Sequence, residues 1–129
     1  MDYRGIIIEE SLDNRSVLDM VKIEEVKIEK VTPHHKTPWL TKWTLDTVKI
    51  SEEKAEIVAE KISKSLDRIH EWFADFKNEK YHYIIFKDKV FKVDLDNPVL
   101  YAKARQYGIS VGIPEYQVDF VPEDKKWER

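Results

Sequence analysis

Residues 72–95 read WFADFKNEKYHYIIFKDKVFKVDL, and no other stretch of the chain restricts its fold as much. Aromatic and β-branched side chains suit a pleated, half-buried surface, and here they recur in three short runs parted by the polar turns KNEK and KDK. The spacing predicts a three-strand meander over 72–76, 81–86 and 90–95, with Phe76 opposite Tyr81 and Asp75 opposite His82. The second turn decides the remaining register, because a slip of one residue moves every side chain of a strand to the other face. A three-residue turn at 87–89 sets Phe86 against Val90 and His82 against Asp94. It also gathers Trp72, Ala74, Phe76, Tyr81, Tyr83, Ile85, Phe91, Val93 and Leu95 into one apolar wall. A two-residue turn would bring Lys92 and Asp94 into that wall, so the three-residue register is expected, although Lys89 is neither Gly nor Asn.

On the reverse face this register lines up Asp75, His82 and Asp94. A histidine between two carboxylates is placed to take up and release protons near neutral pH, which makes the row a candidate acid/base centre. The same row also suits a plain antiparallel sheet, where opposite charges contribute roughly 0.2–1 kcal/mol per pair. The plainer reading is the commoner one in such sheets.

The other segments supply the rest of the fold. Ile6, Ile7 and Ile8 mark a central strand over 5–10. In 21–31, VKIEEVKIEKV, the apolar positions alternate with slips at Glu24-Glu25 and Glu29-Lys30, as in a long, bent and partly exposed strand with a β-bulge. At a sheet edge it could pair with a second copy, giving a homodimer. Prolines 33 and 38 make 32–38 a loop, and 39–50 alternates as a strand. Ser51, as N-cap, and apolar residues from Ala55 to Phe73 at helical spacing predict a helix over about 51–70. Asn97 and Pro98 open a second helix, about 98–107, which Gly108 stops. A last strand is expected at 116–121, before a frayed tail at 123–129.

This order defines an α+β fold: a mostly antiparallel sheet of five to six strands, with one long and one shorter helix packed on one face, in a single domain over 1–122. Charged residues make up 36% of the chain, which implies a heavily solvated surface. Lys and Arg (22) nearly balance Asp and Glu (25) with no long run of one sign, which disfavours nucleic acid as a partner. The chain has no cysteine, so disulfides, thiolate nucleophiles and sulfur-ligated zinc are excluded. No signal peptide and no membrane-spanning run is apparent, so a cytoplasmic location without membrane attachment is expected. Only three glycines occur, and there is no phosphate loop, G-x-S-x-G or H-E-x-x-H motif, so no cofactor is expected.

The proline-bounded loop is the second candidate site. His34 and His35 are adjacent, without the spacing of the usual zinc pairs, so a metal is not expected there. Trp39 and Trp43 offer flat apolar faces for a ligand, although two tryptophans four apart on a strand more often pack into a core.

The blocks TPHHKTPWLTKWTL, WFADFKNEKYHYIIFKDKVFKVD and YGISVGIPEYQVDF resemble a family of small prokaryotic proteins that carries no assigned activity. The resemblance covers most of the chain and implies neither a catalytic residue nor a ligand. The reading that follows is a non-enzymatic domain binding a small molecule or protein through the 33–43 loop, with candidates His34, His35, Trp39 and Trp43, and through the exposed face of the meander. The alternative is a small acid/base enzyme centred on His82 with Asp75 and Asp94. A third reading is weak binding of single-stranded nucleic acid on the tryptophans, which would fall steeply with salt.

Overall fold

The computed structural model describes residues 1–33 and 37–113, so the expected strand at 116–121 and the tail lie outside the described residues. Six strands form one antiparallel sheet: β1 Tyr3–Ile8, β2 Lys22–Lys30, β3 Lys42–Ile50, β4 Phe73–Lys77, β5 Tyr81–Phe86 and β6 Lys89–Asp94, in the order β2-β3-β1-β4-β5-β6. Two helices pack on it, α1 Ala55–Ser65 and α2 Pro98–Ser110. The fold is α+β. β1 is central, as its isoleucines imply, and Gly5 lets it approach β4 closely: a Cβ there would fall 2.1 Å from the Asp75 carbonyl oxygen.

The helices do not share a face. Val58, Ala59 and Ile62 of α1 join Ala74, Phe76, Tyr83 and Ile85 in one core. Tyr101 and Ala104 of α2 join Phe73, Ile84, Phe86 and Val93 in a second. Successive strand residues point to opposite sides, so the meander is buried on both. The one-wall expectation therefore fails, and with it the three-residue turn. Phe86 pairs with Lys89, and the chain reverses through Lys87 and Asp88, with Asp88 in the left-handed region at φ 58°. Asp is among the few non-glycine residues that tolerate this conformation. Lys92 and Asp94 consequently stand on the α1 face, opposite Tyr83 and Tyr81, and the Lys92 ammonium lies 4.4 Å from the Tyr81 ring centroid. A cation over an aromatic face is stabilising, so a lysine is compatible with the aromatic wall.

The first turn also differs, by two residues of register. Asn78 Oδ1 accepts from the backbone N–H groups of Lys80 (2.8 Å) and Tyr81 (2.9 Å), which tightens the hairpin and pairs Phe76 with Tyr83 and Lys77 with His82. Faces are preserved, because the shift is by two residues. The bulge in β2 falls between Ile23 and Glu25, as expected, and keeps Ile23, Val26 and Ile28 on one side; the second slip is not needed because the strand ends at Lys30.

Both helices depart from their expected ends. A 3-10 turn, Glu52–Lys54, leads into α1, and the Ser51 hydroxyl makes no capping hydrogen bond. The helix stops at Ser65 rather than near residue 70. Ser65 Oγ bonds back to the Lys61 carbonyl, Leu66 bridges to Leu12, and the Asp67 N–H bonds the Ser11 carbonyl. Ile69, counted in the helical stripe, is 84% exposed. Asn97 Oδ1 caps α2 through the N–H groups of Val99 and Leu100, as Asn-Pro predicts. Gly108 is buried within that helix, and Gly112, at φ 100°, ends it.

Candidate functional site

The reverse face of β4 and β5 unites two of the three residues expected there. Asp75 pairs directly with Ile84, and His82 is its diagonal neighbour, a separation that long side chains bridge. His82 Nε2 lies 2.7 Å from Asp75 Oδ2, and Nδ1 lies 3.0 Å from the Tyr101 hydroxyl of α2. Asp94 is not part of this group. The two-residue turn puts it opposite Tyr81 on the other side of the sheet, and His82 pairs with Val93 instead. Burial, with the charge of Asp75, pushes the Tyr101 phenol up to about 12, so its hydroxyl keeps its proton and donates to Nδ1. Nε2 is then the donor to Asp75.

Sequence spacing gave no sign of Tyr101. It arrives because Asn97 and Pro98 start α2, which lays one side on the second core. The resulting Asp75–His82–Tyr101 chain is closed to solvent: His82 is 3% exposed, and Asp75 and Tyr101 are also buried. The meander face expected to be open for binding is covered by α2.

The loop is built differently. The Leu40 N–H bonds the Thr37 carbonyl, and the Val31 N–H bonds Thr41 O, so the loop closes at the mouth of the β2 and β3 pair. Trp43, the second residue of β3, is buried, its Nε1 donating to Thr37 Oγ1 at 3.0 Å. Trp39 lies ahead of the strand, so the two tryptophans do not share a strand face; it is 45% exposed. The rings meet through Trp72, which stands edge-on to Trp39 at 6.3 Å and tilted to Trp43 at 5.6 Å. His34 and His35 lie outside the described residues.

Trp39 stacks on His70, ring centroids 3.6 Å apart and planes 9° from parallel. His70 Nδ1 is held at 2.6 Å by Asp67 Oδ2, and Asp67 Oδ1 accepts from the Ile69 N–H at 2.8 Å. Burial acts to raise the Asp67 carboxyl, but these hydrogen bonds outweigh it and hold the group below the usual carboxylate range. The early end of α1 makes this possible, since a helix running through residue 70 would point His70 elsewhere. Val31, Thr32, Pro33, Thr37, Pro38 and Leu40 line an open hollow of about 480 Å³, in which Pro38 and Leu40 flank Trp39 in the chain while the indole itself is not part of the lining. The buried Trp72 Nε1 has no hydrogen-bond partner among the described residues.

A third polar group lies on the α1 face, where sequence reasoning saw only an alternating strand. Asp46 of β3 is fully buried, and neither of its oxygens meets a donor among the described residues. Its carboxyl is pushed up to about 7, first by burial, then by the neighbouring Glu9 carboxyl and the charges of Glu9 and Glu10, against which Arg15 acts. Glu10 accepts from Thr44, next but one to Asp46, at its backbone N–H (2.6 Å) and hydroxyl (2.8 Å). Among the described residues, no group of three or more His, Asp or Glu side chains is placed to hold a metal ion, and no helix is long and apolar enough to cross a membrane.

No protein-family model matches the chain, and neither a curated protein nor a solved structure matches it.

Proposed function

We propose that the chain is a binding domain that takes a small, flat, apolar molecule at the exposed Trp39 indole and the hollow lined by its chain neighbours Pro38 and Leu40. The observation that carries this reading is the Trp39 and His70 stack, with an indole left 45% exposed, whose chain neighbours Pro38 and Leu40 line an apolar concavity. A large aromatic ring held in place by a neighbour, rather than by the core, loses little conformational freedom when a second ring lies against it. The hollow of about 480 Å³ falls in the size range of small-molecule sites, and four of its six lining residues are Val, Leu or Pro. Acid/base catalysis at His82 has less support. Asp75 and Tyr101 occupy both ring nitrogens, and the group is too buried to meet a substrate without displacing α2.

A titration with neutral aromatic fragments, followed by amide and indole chemical shifts, tests the proposal. Shifts are expected to converge on the Trp39 indole, Val31 and Leu40. Trp39→Ala is expected to abolish them while leaving the protein folded, at a cost of about 1–2 kcal/mol for the lost ring contacts with His70 and Trp72. Shifts that gather elsewhere, or that survive Trp39→Ala unchanged, reject it.

A further inference from the structure

β2 ends the sheet, with β3 as its one strand neighbour among the described residues. The Val31 N–H bonds Thr41 O at 3.0 Å, and pairing continues in step through Glu29 with Trp43, Lys27 with Leu45 and Glu25 with Thr47. Bonded and non-bonded pairs alternate in an antiparallel ladder. Glu25, Lys27 and Glu29 therefore turn their backbone groups toward β3, while Val26, Ile28 and Lys30 turn theirs to the open side. Val26 and Ile28 also leave their side chains 54% and 63% exposed. An apolar edge with outward backbone donors and acceptors is a template for another strand.

The charges select what that strand is. Two copies related by a two-fold axis through the sheet must set even-numbered residues of β2 against even-numbered ones, so that outward backbone groups meet. Centred on Lys27, the pairing sets Val26 against Ile28 twice, but it also puts Lys27 against itself and Glu25 against Glu29 twice, so that every charged pair within the regular part of the strand is of like sign. Centred on Val26, it sets Ile28 against Glu24, the extra residue of the bulge, where the ladder is broken. Centred on Ile28, it sets Lys27 against Glu29 twice, Val26 against the aliphatic stem of Lys30 twice, and Ile28 against itself, all within the regular part of the strand. We propose that two copies of the chain join β2 to β2 antiparallel about a two-fold at Ile28, fusing two six-stranded sheets into one.

Sedimentation velocity over a range of protein concentrations tests this, with circular dichroism and melting to confirm that each variant is folded. The unmodified chain is expected to be a dimer, and Ile28→Lys, which places two ammonium groups at the axis, a folded monomer. Lys27→Glu and Glu29→Lys each turn two attractive pairs into repulsive ones and are expected to raise the dimer dissociation constant about tenfold. Combining the two reversals is expected to restore it. Because the chain has no cysteine, Ile28→Cys is expected to give a dimer linked through residue 28 on oxidation. A chain that is monomeric at every concentration overturns the proposal. So does a dimer indifferent to Ile28→Lys, or a double reversal no better than the single ones.

Discussion

Across β1, Ile6 faces Asp75 of β4 and Ile7 faces Asp46 of β3, so two successive residues of one strand set a buried carboxyl on each side of the sheet. On the α2 face, Asp75 meets an N–H of His82 at 2.7 Å, and His82 is in turn held by Tyr101. On the α1 face, Asp46 meets no donor among the described residues and lies beside the Glu9 carboxyl, and burial with that neighbour pushes it up to about 7. A buried carboxyl beside a donor can remain an anion, whereas one beside other carboxyls holds its proton instead. The two sides of the sheet therefore respond oppositely when the acid is removed.

The largest effect is expected at Asp75. Asp75→Ala takes the acceptor from a buried His82 nitrogen and breaks a pair that α2 seals from water. Losing this charge-assisted hydrogen bond, with the neutral imidazole N–H left buried without its Asp75 acceptor, costs about 3 kcal/mol. Urea unfolding measures this, and a loss below about 1 kcal/mol would show that the α2 face tolerates an unpaired group, which erases the contrast.

Asp46→Asn is expected to act in the opposite direction. In the fold this carboxyl holds its proton up to about pH 7, and in the unfolded chain only to its ordinary value of 3.8. Between these limits the native state binds more protons than the unfolded state, so the stability of the unmodified protein falls as pH rises and levels off above about 7. An amide carries no such dependence. Asp46→Asn is therefore expected to flatten the profile between about pH 4 and 7 and to stabilise the protein near pH 8 by on the order of 2 kcal/mol. Parallel pH profiles of the two proteins would break the comparison at this end.

The sequence makes the polar group on one face partly visible and that on the other invisible. Asp75 and His82 lie in neighbouring strands joined by a short turn, so alternation alone puts them on the same side, and a register error of two residues leaves that conclusion intact. Asp94 is lost because its side depends on the parity of the next turn. The hydrophobic pattern selects the three-residue turn only for a meander with a single apolar face, whereas α2, which follows the meander in the chain, covers the other. The Asp46 and Glu9 contact and the Trp39 and His70 stack both join residues more than thirty positions apart, through the 3-10 turn after β1 and the early end of α1. Local pattern carries no information about such meetings. Strand order along the chain, the bulge in β2 and the Asn97 cap are legible because each rests on neighbours in sequence.

The smallest effect refines the comparison within the α2 face. Tyr101→Phe keeps the ring that stands edge-on to His82, centroids 5.6 Å apart, and removes only the hydroxyl at Nδ1. A buried neutral hydrogen bond lost in this way costs about 1 kcal/mol, less than the charge-assisted bond at Nε2. The two bonds share one imidazole, whose orientation each helps to fix. Once Asp75→Ala has freed the ring to turn, Tyr101→Phe has less left to remove, and the double variant is expected to lose less than the sum of the single losses. Unfolding of the four proteins in one cycle measures that difference. Strict additivity would mean that Asp75 and Tyr101 hold His82 independently, and that α2 rests on the sheet through its apolar contacts rather than through this chain of hydrogen bonds.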